Sequence, residues 1–144
     1  MELELSVSEG PASLSLEKIG SFIISIQKEH GEIPWSAGGK TDPWDHVESA
    51  MGLSTGGYYP EAIKAYEWLA ETQLEDGSWW SETLDGKIVN SCKESNFSSY
   101  VAVGVFHHYL TTRDVKFLKT MWHTVSQGIQ YAINLQAPDG EIYW

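Results

Sequence analysis

The 144-residue sequence has little cysteine, little positive charge and no long apolar run. Cys92 is the only cysteine, so no disulfide can form within the chain and no cysteine metal cluster is available. Nine Lys and Arg residues stand against twenty Asp and Glu residues, which gives a formal charge of −11. Phosphate backbones and anionic membrane surfaces would be repelled by this charge. The balance argues against nucleic acid as a partner and leaves neutral sugars and apolar ligands open.

Signals for export and for membrane insertion are also lacking. The start of the chain, MELELSVSEGPAS, is acidic and has no apolar stretch of the kind that signal peptides contain. No apolar run reaches the length of a membrane span. We therefore predict a cytoplasmic protein with no transmembrane segment. Residues 1–144 are expected to form one domain, with residues 1–11 as a flexible N-terminal segment.

What the sequence does contain is a motif that occurs three times. Each copy has an aromatic residue, then Gln five positions later, then Gly four positions after the Gln. The three copies are centred on Gln27, Gln73 and Gln136. Their separations suit one helical hairpin per repeat, with connecting loops of varying length.

Each part of the motif has a physical role that predicts its place in the fold. The Gln comes where a helix ends, and its side-chain amide can bond to backbone groups left without partners there. The Gly then allows a left-handed exit that a β-carbon would penalise. A Trp beyond the Gly, as in Trp35 and Trp79, is expected to pack the turn onto the neighbouring hairpin. We expect the three glutamines at the ends of outer helices, in superposable turns.

Between these turns the apolar periodicity predicts five helices. They cover residues 12–29, 43–53, 60–75, 96–111 and 115–136. The first, third and fifth are amphipathic, whereas the fourth is apolar nearly all round, which predicts burial on every side. The expected core stripe of the fifth helix is Leu118, Trp122, Val125, Ile129 and Ala132. Amphipathic outer helices around apolar inner helices predict an all-α barrel of helical hairpins.

A family resemblance supports this fold. The segment from Trp68 to Trp79 resembles the QW motif of squalene and other terpenoid cyclases. The wider pattern is similar to the α/α toroid of those cyclases and of protein prenyltransferases. Residues 102–110, followed by Thr112-Arg113-Asp114, resemble bacterial prenyltransferase-like proteins. Six-hairpin glycosidases share the toroid shape, so the resemblance bears on fold more than on chemistry. It implies helical hairpin repeats forming part of an α/α toroid, about two and a half hairpins.

The chain departs from the catalytic patterns of these families. It lacks the Asp-x-Asp-Asp string of the cyclases, and Cys92 has no suitably spaced partners for the zinc set of the protein prenyltransferases. It also contains no metal motif, no Gly-rich phosphate loop and no nucleophile elbow. We therefore predict no metal and no cofactor.

The resemblance places a candidate active site where the inner helices begin. Asp45 and Glu48 are three residues apart and share a helix face. Glu94 precedes the second inner helix and is expected to face the same mouth. We predict these three carboxylates as the catalytic residues, acting as general acid and base or as an anionic wall around a cation. The predicted substrate-binding residues are Trp35, Trp44, His46, Trp80, Phe97 and Tyr143.

Structural roles compete with these functional ones. Asp42 before Pro43 has the pattern of a helix N-cap, and Asp45 then stands at the capping-box position. His46 is more often a solvated or capping histidine than a base. The neighbours His107 and His108 point in different directions on a helix and are expected to be structural. Trp79 and Trp144 are expected to pack between hairpins.

Three classes of function remain open from the sequence. The leading prediction is a prenyltransferase- or terpenoid-cyclase-like protein that binds an isoprenoid in an aromatic cavity. The second is a six-hairpin-type glycoside hydrolase that acts on an oligo- or polysaccharide through paired carboxylates. The third is a non-catalytic helical-repeat interaction module. Because a partial barrel leaves apolar inner surface uncovered, we also predict that the chain associates with itself.

Overall fold

A computed structural model describes residues 15–143, and this part of the chain is all-α with one small β-hairpin. Its helices are α1 (Leu16–Ile26), α2 (Pro43–Thr55), α3 (Tyr59–Thr72), α4 (Ser95–Thr112) and α5 (Val115–Asn134). All five predicted helices are confirmed, although α1 ends earlier than predicted and residues 12–14 of its predicted range lie outside the described residues. The predicted flexible segment, residues 1–11, lies outside the described residues. None of the described helices is both long and apolar enough to cross a membrane.

The helices form two layers. Helices α2 and α4 pack against each other as an inner layer, and the outer helices α1, α3 and α5 cover them from one side. The core between the layers is mainly apolar, and its fully buried apolar side chains include Val47, Leu53, Tyr66, Leu69, Val101, Val105 and Met121. The predicted all-α fold of helical hairpin repeats is confirmed.

The three Gln-Gly turns have the same backbone structure. Gln27 and Gln73 are the C-caps of α1 and α3, and Gln136 follows the C-cap of α5. In each turn the glycine amide donates to the carbonyl of the residue after the Gln, at 2.9 Å. The three glycines have positive φ angles of 101°, 89° and 95°, a region that other residues rarely adopt. This confirms the predicted repeat.

A β-hairpin between the second turn and α4 was not predicted. Strands β1 (Glu82–Leu84) and β2 (Lys87–Asn90) pair antiparallel and are joined at Asp85-Gly86. Both turn residues have positive φ, as the tight turn of a two-residue hairpin requires. Thr83 also exchanges backbone hydrogen bonds with Thr41, at 2.8 and 2.9 Å, so the hairpin ties the second turn to the first.

The predicted burial of α4 and α5 was partly wrong. The buried stripe of α5 consists of Phe117, Met121, Thr124, Gly128 and Ala132, whereas Trp122 is 66% exposed and Ile129 36% exposed. Gly128 is the physical reason, because a β-carbon there would lie 2.4 Å from the Ser98 carbonyl oxygen of α4. The two helices approach each other closely at this small residue, so Gly128 faces α4 and Trp122 faces outward. On α4, one apolar face is exposed rather than buried: Val103, Phe106 and Leu110.

Candidate functional site

The candidate site begins with the cap of α2. Asp42 is buried, and its carboxylate accepts a hydrogen bond from the Asp45 amide at 2.9 Å, as predicted for an N-cap. The same carboxylate accepts the indole N–H of Trp35. Pro43 occupies the first helical turn, where a missing N–H costs nothing. These bonds fix both the start of α2 and the direction in which its first side chains point.

Among the carboxyl groups of this region, Asp45 has the most strongly shifted pKa. Its pKa is raised to about 6, first by partial burial, then by the charge of Asp42, by a hydrogen bond with the Asp42 carboxylate and by the charge of Glu48. The side chain is nevertheless on the solvent-facing side of α2. A carboxyl group with these properties carries its proton at weakly acidic pH and can still reach a ligand.

Glu48 is held in place by two aromatic residues. Its Oε1 accepts the indole N–H of Trp44 at 2.9 Å and the hydroxyl of Tyr100 at 3.3 Å. The rings of Trp44 and Tyr100 are stacked, with centroids 3.8 Å apart and planes within 3° of parallel. Phe97 adds a tilted contact to Trp44 at 6.4 Å. The structure therefore brings together three of the candidate site residues, Trp44, Glu48 and Phe97, and adds Tyr100 to them.

Asp45 and Glu48 line one groove together with Trp35. The groove lies between α1 and α2 and has a volume of about 410 Å³. Its remaining walls are mostly aliphatic and aromatic: Ile19, Phe22, Ile23, Ile26, Ile33, Pro34, Ser49 and Gly52. Trp35 is half exposed, with the Lys40 ammonium group 4.4 Å from its ring centroid. We call this cleft the acidic groove.

Trp80 lies in a second cleft. This cavity of about 600 Å³ is enclosed by the first turn, the second turn and the β-hairpin, and Trp68, Trp79, Thr83 and Ile88 also line it. The Lys93 ammonium group lies 4.9 Å from the Trp80 ring centroid. Trp79 is buried and donates to the Leu69 carbonyl at 2.9 Å. Its ring also lies beside Gly128 of α5, 3.4 Å from a β-carbon placed there, in agreement with the predicted packing between hairpins.

Glu32 is a buried carboxylate that lines this cavity. Burial raises its pKa, but hydrogen bonds from Thr41, Lys28 and His30, together with the charge of Lys28, bring the pKa below its usual range. The Lys28 ammonium nitrogen is 3.1 Å from Glu32 Oε2 and also 3.1 Å from Asp85 at the hairpin tip. Glu32 is therefore an ionised structural anchor, in contrast to Asp45.

The predicted substrate-binding role of His46 does not fit the structure. Its side chain is fully enclosed, its Nδ1 faces the Ile33 amide at 3.1 Å, and its Nε2 faces the Ala65 carbonyl at 2.9 Å. Burial lowers the pKa of His46 to about 4, so the ring is neutral near pH 7. Both nitrogens are occupied by backbone groups, and His46 joins the first turn to α3. His108 is likewise buried and bonded to Ser54, as expected for a structural histidine.

Glu94 and Tyr143 are at the start of α4, away from the acidic groove. Glu94 precedes α4 and accepts the Ser81 hydroxyl at 2.9 Å, but it makes no capping bond to the helix. The Tyr143 carbonyl accepts the Ser95 hydroxyl at 2.9 Å, and its ring is 60% exposed. The predicted Trp144 lies outside the described residues. Within residues 15–143, no group of three or more His, Cys, Asp and Glu side chains is arranged to hold a metal ion.

Sequence reasoning missed Tyr100 and the apolar wall of the groove. The missed signal was that Tyr100 and Glu48 occupy equivalent positions in the two inner helices. Tyr100 is as many residues from the start of α4 as Glu48 is from the start of α2. The hairpin also had a signal, the Asp85-Gly86 pair, which is typical of tight β-turns. Its strands, of three and four residues, are too short to produce a clear alternation.

The fold and this geometry define an all-α helical-hairpin repeat protein whose inner layer carries a carboxylate pair beside stacked aromatic rings. No protein-family model matches the chain. A curated protein of Mycolicibacterium hassiacum, named MMP endo-(1,4)-3-O-methyl-alpha-D-mannosidase, is 45% identical to it over 122 residues. That match covers 85% of this chain and 34% of the relative, so the chain spans about a third of the length of the relative.

Proposed function

We propose that this chain carries the acid–base pair of a glycoside hydrolase that acts on α-linked, mannose-containing oligo- or polysaccharides. The observation that carries the proposal is Asp45, whose pKa is raised to about 6 in a groove shared with Glu48 and Trp35. Hydrolysis of a glycosidic bond requires one protonated carboxyl group and one carboxylate. Asp45 and Glu48 supply this pair.

In the proposed reaction, Asp45 donates its proton to the glycosidic oxygen as the bond from that oxygen to the anomeric carbon breaks. Water adds to the anomeric carbon, and Glu48 accepts the proton that this water releases. Tyr100 and Trp44 hold Glu48 by hydrogen bonds of 3.3 and 2.9 Å, so its carboxylate is already positioned when a ligand arrives. We do not include Glu94 in this pair, because Glu94 does not line the acidic groove.

The walls of the acidic groove suit a methylated sugar. Ile19, Phe22 and Ile26 present apolar side chains beside the two carboxylates. Methyl ether groups bury favourably against such a surface, whereas the remaining hydroxyl groups can bond to carboxylate oxygens. The name of the 45% identical relative specifies a 3-O-methylmannoside, which agrees with this lining.

A second function, isoprenoid binding, follows from the resemblance to the cyclases. The observation in its favour is the exposed apolar face of α4, formed by Val103, Phe106 and Leu110. The relative provides no support for it. A non-catalytic module would use the same groove for binding without bond cleavage, so the experiment must measure binding and hydrolysis separately.

Three measurements on the purified chain test the proposal. Calorimetry would be carried out with α-(1,4)-linked 3-O-methylmannose oligosaccharides and, separately, with a farnesyl analogue. Release of reducing ends from the oligosaccharides would measure hydrolysis. The same assays would be repeated on Asp45→Asn and on Glu71→Gln, a control that removes an exposed carboxylate from the outer helix α3.

We expect the oligosaccharide to bind and to be cleaved, the farnesyl analogue not to bind, and Asp45→Asn to bind without cleaving. Glu71→Gln should behave as the unsubstituted chain does. Binding without cleavage by the unsubstituted chain would leave the non-catalytic module as the better description. Binding of the farnesyl analogue alone would contradict the glycosidase proposal.

A further inference from the structure

The larger of the two clefts has no part in the acid–base pair. This cavity of about 600 Å³ is enclosed by the first turn, the second turn and the β-hairpin, and Trp68 and Trp80 form part of its wall. Its volume is within the range of roughly 300–1,000 Å³ that is typical of small-molecule sites, which combine apolar and aromatic walls with a few polar groups. We call it the hairpin cavity.

The tryptophans that line the hairpin cavity differ in their hydrogen bonds. Trp79 is buried and its indole N–H donates to the Leu69 carbonyl. Trp68 and Trp80 are only partly buried, and their indole N–H groups have no acceptor within residues 15–143. Within this part of the chain, both groups are therefore available to an acceptor on a ligand. Lys93 does not line the cavity but lies over the Trp80 ring, 4.9 Å from its centroid, so it holds this ring from outside.

The charged groups of the hairpin cavity favour a neutral ligand. Among the described residues, they are the carboxylates of Glu32, Asp42 and Asp85 and the ammonium group of Lys28, beside the imidazole of His30. Lys28 is already paired with Glu32 and Asp85, at 3.1 Å from each. An anionic ligand would be repelled by the excess of negative charge. Hydroxyl groups of a neutral ligand can instead donate to carboxylate oxygens.

The hairpin cavity and the acidic groove are neighbours. Asp42 lines the cavity, and its carboxylate accepts from the Trp35 indole and from the Asp45 amide, two residues that line the groove. On the hairpin side, Lys40 lies over the Trp35 ring, and its ammonium nitrogen is 2.6 Å from a carboxylate oxygen of Glu82 in β1. Two clefts joined in this way can hold different rings of one elongated ligand.

We propose that the hairpin cavity is a second sugar subsite, which binds a neutral hexopyranose unit of the oligosaccharide whose reactive bond lies in the acidic groove. The class of ligand rests on the proposed function, whereas the place rests on the cavity itself. A pyranose ring has apolar C–H faces and a rim of hydroxyl groups. Its faces pack on the rings of Trp68 and Trp80, and its hydroxyl groups accept from the indole N–H groups and donate to carboxylate oxygens such as those of Asp85.

Nuclear magnetic resonance of the isotope-labelled chain tests whether the cavity is occupied. The indole N–H signals of Trp68 and Trp80 are assigned from the variants Trp68→Phe and Trp80→Phe. They are then followed in Asp45→Asn, which should leave the ligand intact, as an α-(1,4)-linked 3-O-methylmannose oligosaccharide is added. We expect both signals to move, and the signal of Trp122, which is exposed on α5, to stay in place.

Calorimetry with the same oligosaccharide measures what the cavity contributes to affinity. Ile88 and Val89 are adjacent on β2 and are 51% and 52% exposed, but of the two only Ile88 lines the cavity. Ile88→Ala should lower the affinity at least about threefold, because apolar contact with the ligand is lost, and Val89→Ala should leave it unchanged. Trp80→Ala should lower the affinity at least about tenfold, and Trp122→Ala should have no effect.

The outcomes separate the cavity from the acid–base pair. If the signals move and the affinities fall as expected, but the unsubstituted chain releases no reducing ends, the sugar subsite stands and the hydrolytic function fails. If the chain cleaves the oligosaccharide while the signals of Trp68 and Trp80 stay in place, the subsite is wrong and the hydrolytic function stands. The same holds if Ile88→Ala and Trp80→Ala bind as tightly as their controls. An oligosaccharide that does not bind at all would overturn the subsite.

Discussion

The starts of α2 and α4 are equivalent places in the repeat, yet they carry different chemistry. At the third and sixth positions after the N-cap, α2 has Asp45 and Glu48, whereas α4 has Phe97 and Tyr100. Helix α2 is capped by a carboxylate that bonds to its first turn, and α4 has no side-chain capping bond. The repeated motif therefore specifies where the inner helices begin but not which reactive groups they present.

The two helix starts are complementary rather than independent. Tyr100 of α4 stacks on Trp44 of α2 and donates to Glu48, so the aromatic helix positions a carboxylate of the acidic one. Asp45 has a different environment, dominated by partial burial and by its two neighbouring carboxylates. Glu48 is thereby held in place by hydrogen bonds, whereas Asp45 is made easier to protonate. Such a separation of roles is what acid–base catalysis by two carboxyl groups requires.

Of the differences expected between residues at the start of α2 and residues at the start of α4, the largest is their effect on the pH dependence of hydrolysis. Because the general acid must be protonated, the rate should fall about tenfold for each pH unit above the Asp45 pKa of about 6. We call this decrease above pH 6 the alkaline limb of the pH–rate profile. In Asp45→Asn the residual rate should no longer show it. Glu94→Gln, at the start of α4, should retain both the rate and the limb. A pH–rate profile of kcat/KM for the three proteins measures this, and an unchanged alkaline limb in Asp45→Asn would remove Asp45 from the mechanism.

The next largest effect concerns the buried residue after Asp45. His46 has a pKa lowered to about 4 in the folded chain, from 6.5, and the equivalent residue in α4 is the non-titrating Ser98. The unfolded chain then binds the proton more tightly, so stability is lost as the pH falls from 6.5 to 4. The loss should be on the order of 3 kcal/mol at pH 4.

Denaturant unfolding at pH 7 and at pH 4 measures this loss. The difference between the two pH values should shrink in His46→Gln and remain in His123→Gln, a control on the exposed side of α5. Asp45 acts in the opposite direction, because its raised pKa makes the folded chain bind its proton more tightly. As the pH falls from about 6 towards 3.8, Asp45 adds stability, and Asp45→Asn should therefore make the acid loss steeper.

A smaller effect is expected at the cap of α2. Asp42→Ala removes the bond to the Asp45 amide and the bond from the Trp35 indole, at a cost of about 2 kcal/mol in the free energy of unfolding. Asp42→Asn keeps an acceptor for the amide and should cost much less. Both variants remove the Asp42 charge, so both should lower the Asp45 pKa and move the alkaline limb to lower pH. Unfolding curves measure the loss of the cap, and pH–rate profiles measure the change in the Asp45 pKa. If the alkaline limb did not move in Asp42→Asn, the Asp42 charge would not contribute to the raised pKa of Asp45.

Most of the backbone of α2 and α4 could be predicted from the sequence because it depends on local signals. The Asp42-Pro43 pair identifies the start of α2, and the Gln-Gly motif identifies the turns before both inner helices. Each of these signals depends only on residues that are close together in the sequence, so it can be recognised without knowledge of the fold. The helix starts and the repeat were accordingly confirmed.

The parts that could not be predicted depend on contacts between distant residues. Trp122 faces outward because α4 and α5 approach each other closely at Gly128. The apolar periodicity of α5 alone does not show where a second helix approaches it. The enclosure of His46 depends on Ala65, nineteen residues later. Within α4 alone, nothing distinguishes Tyr100 from the other aromatic residues of the helix, and its position is informative only when α4 is compared with α2. Its stacking on Trp44 follows only once the two inner helices are packed together.

The smallest effect is expected at the start of α4, where Glu94 replaces the aspartate cap of α2. Glu94→Ala removes one acceptor of the Ser81 hydroxyl, but this hydroxyl is also 3.1 Å from the Cys92 carbonyl, which remains. Since Glu94 makes no capping bond to α4, no helix amide loses a partner. We therefore expect a cost below about 1 kcal/mol and an unchanged rate of hydrolysis. If unfolding and rate measurements instead showed losses as large as those of Asp42→Ala and Asp45→Asn, the two helix starts would be chemically equivalent, and the assignment of the acid–base pair to α2 alone would be wrong.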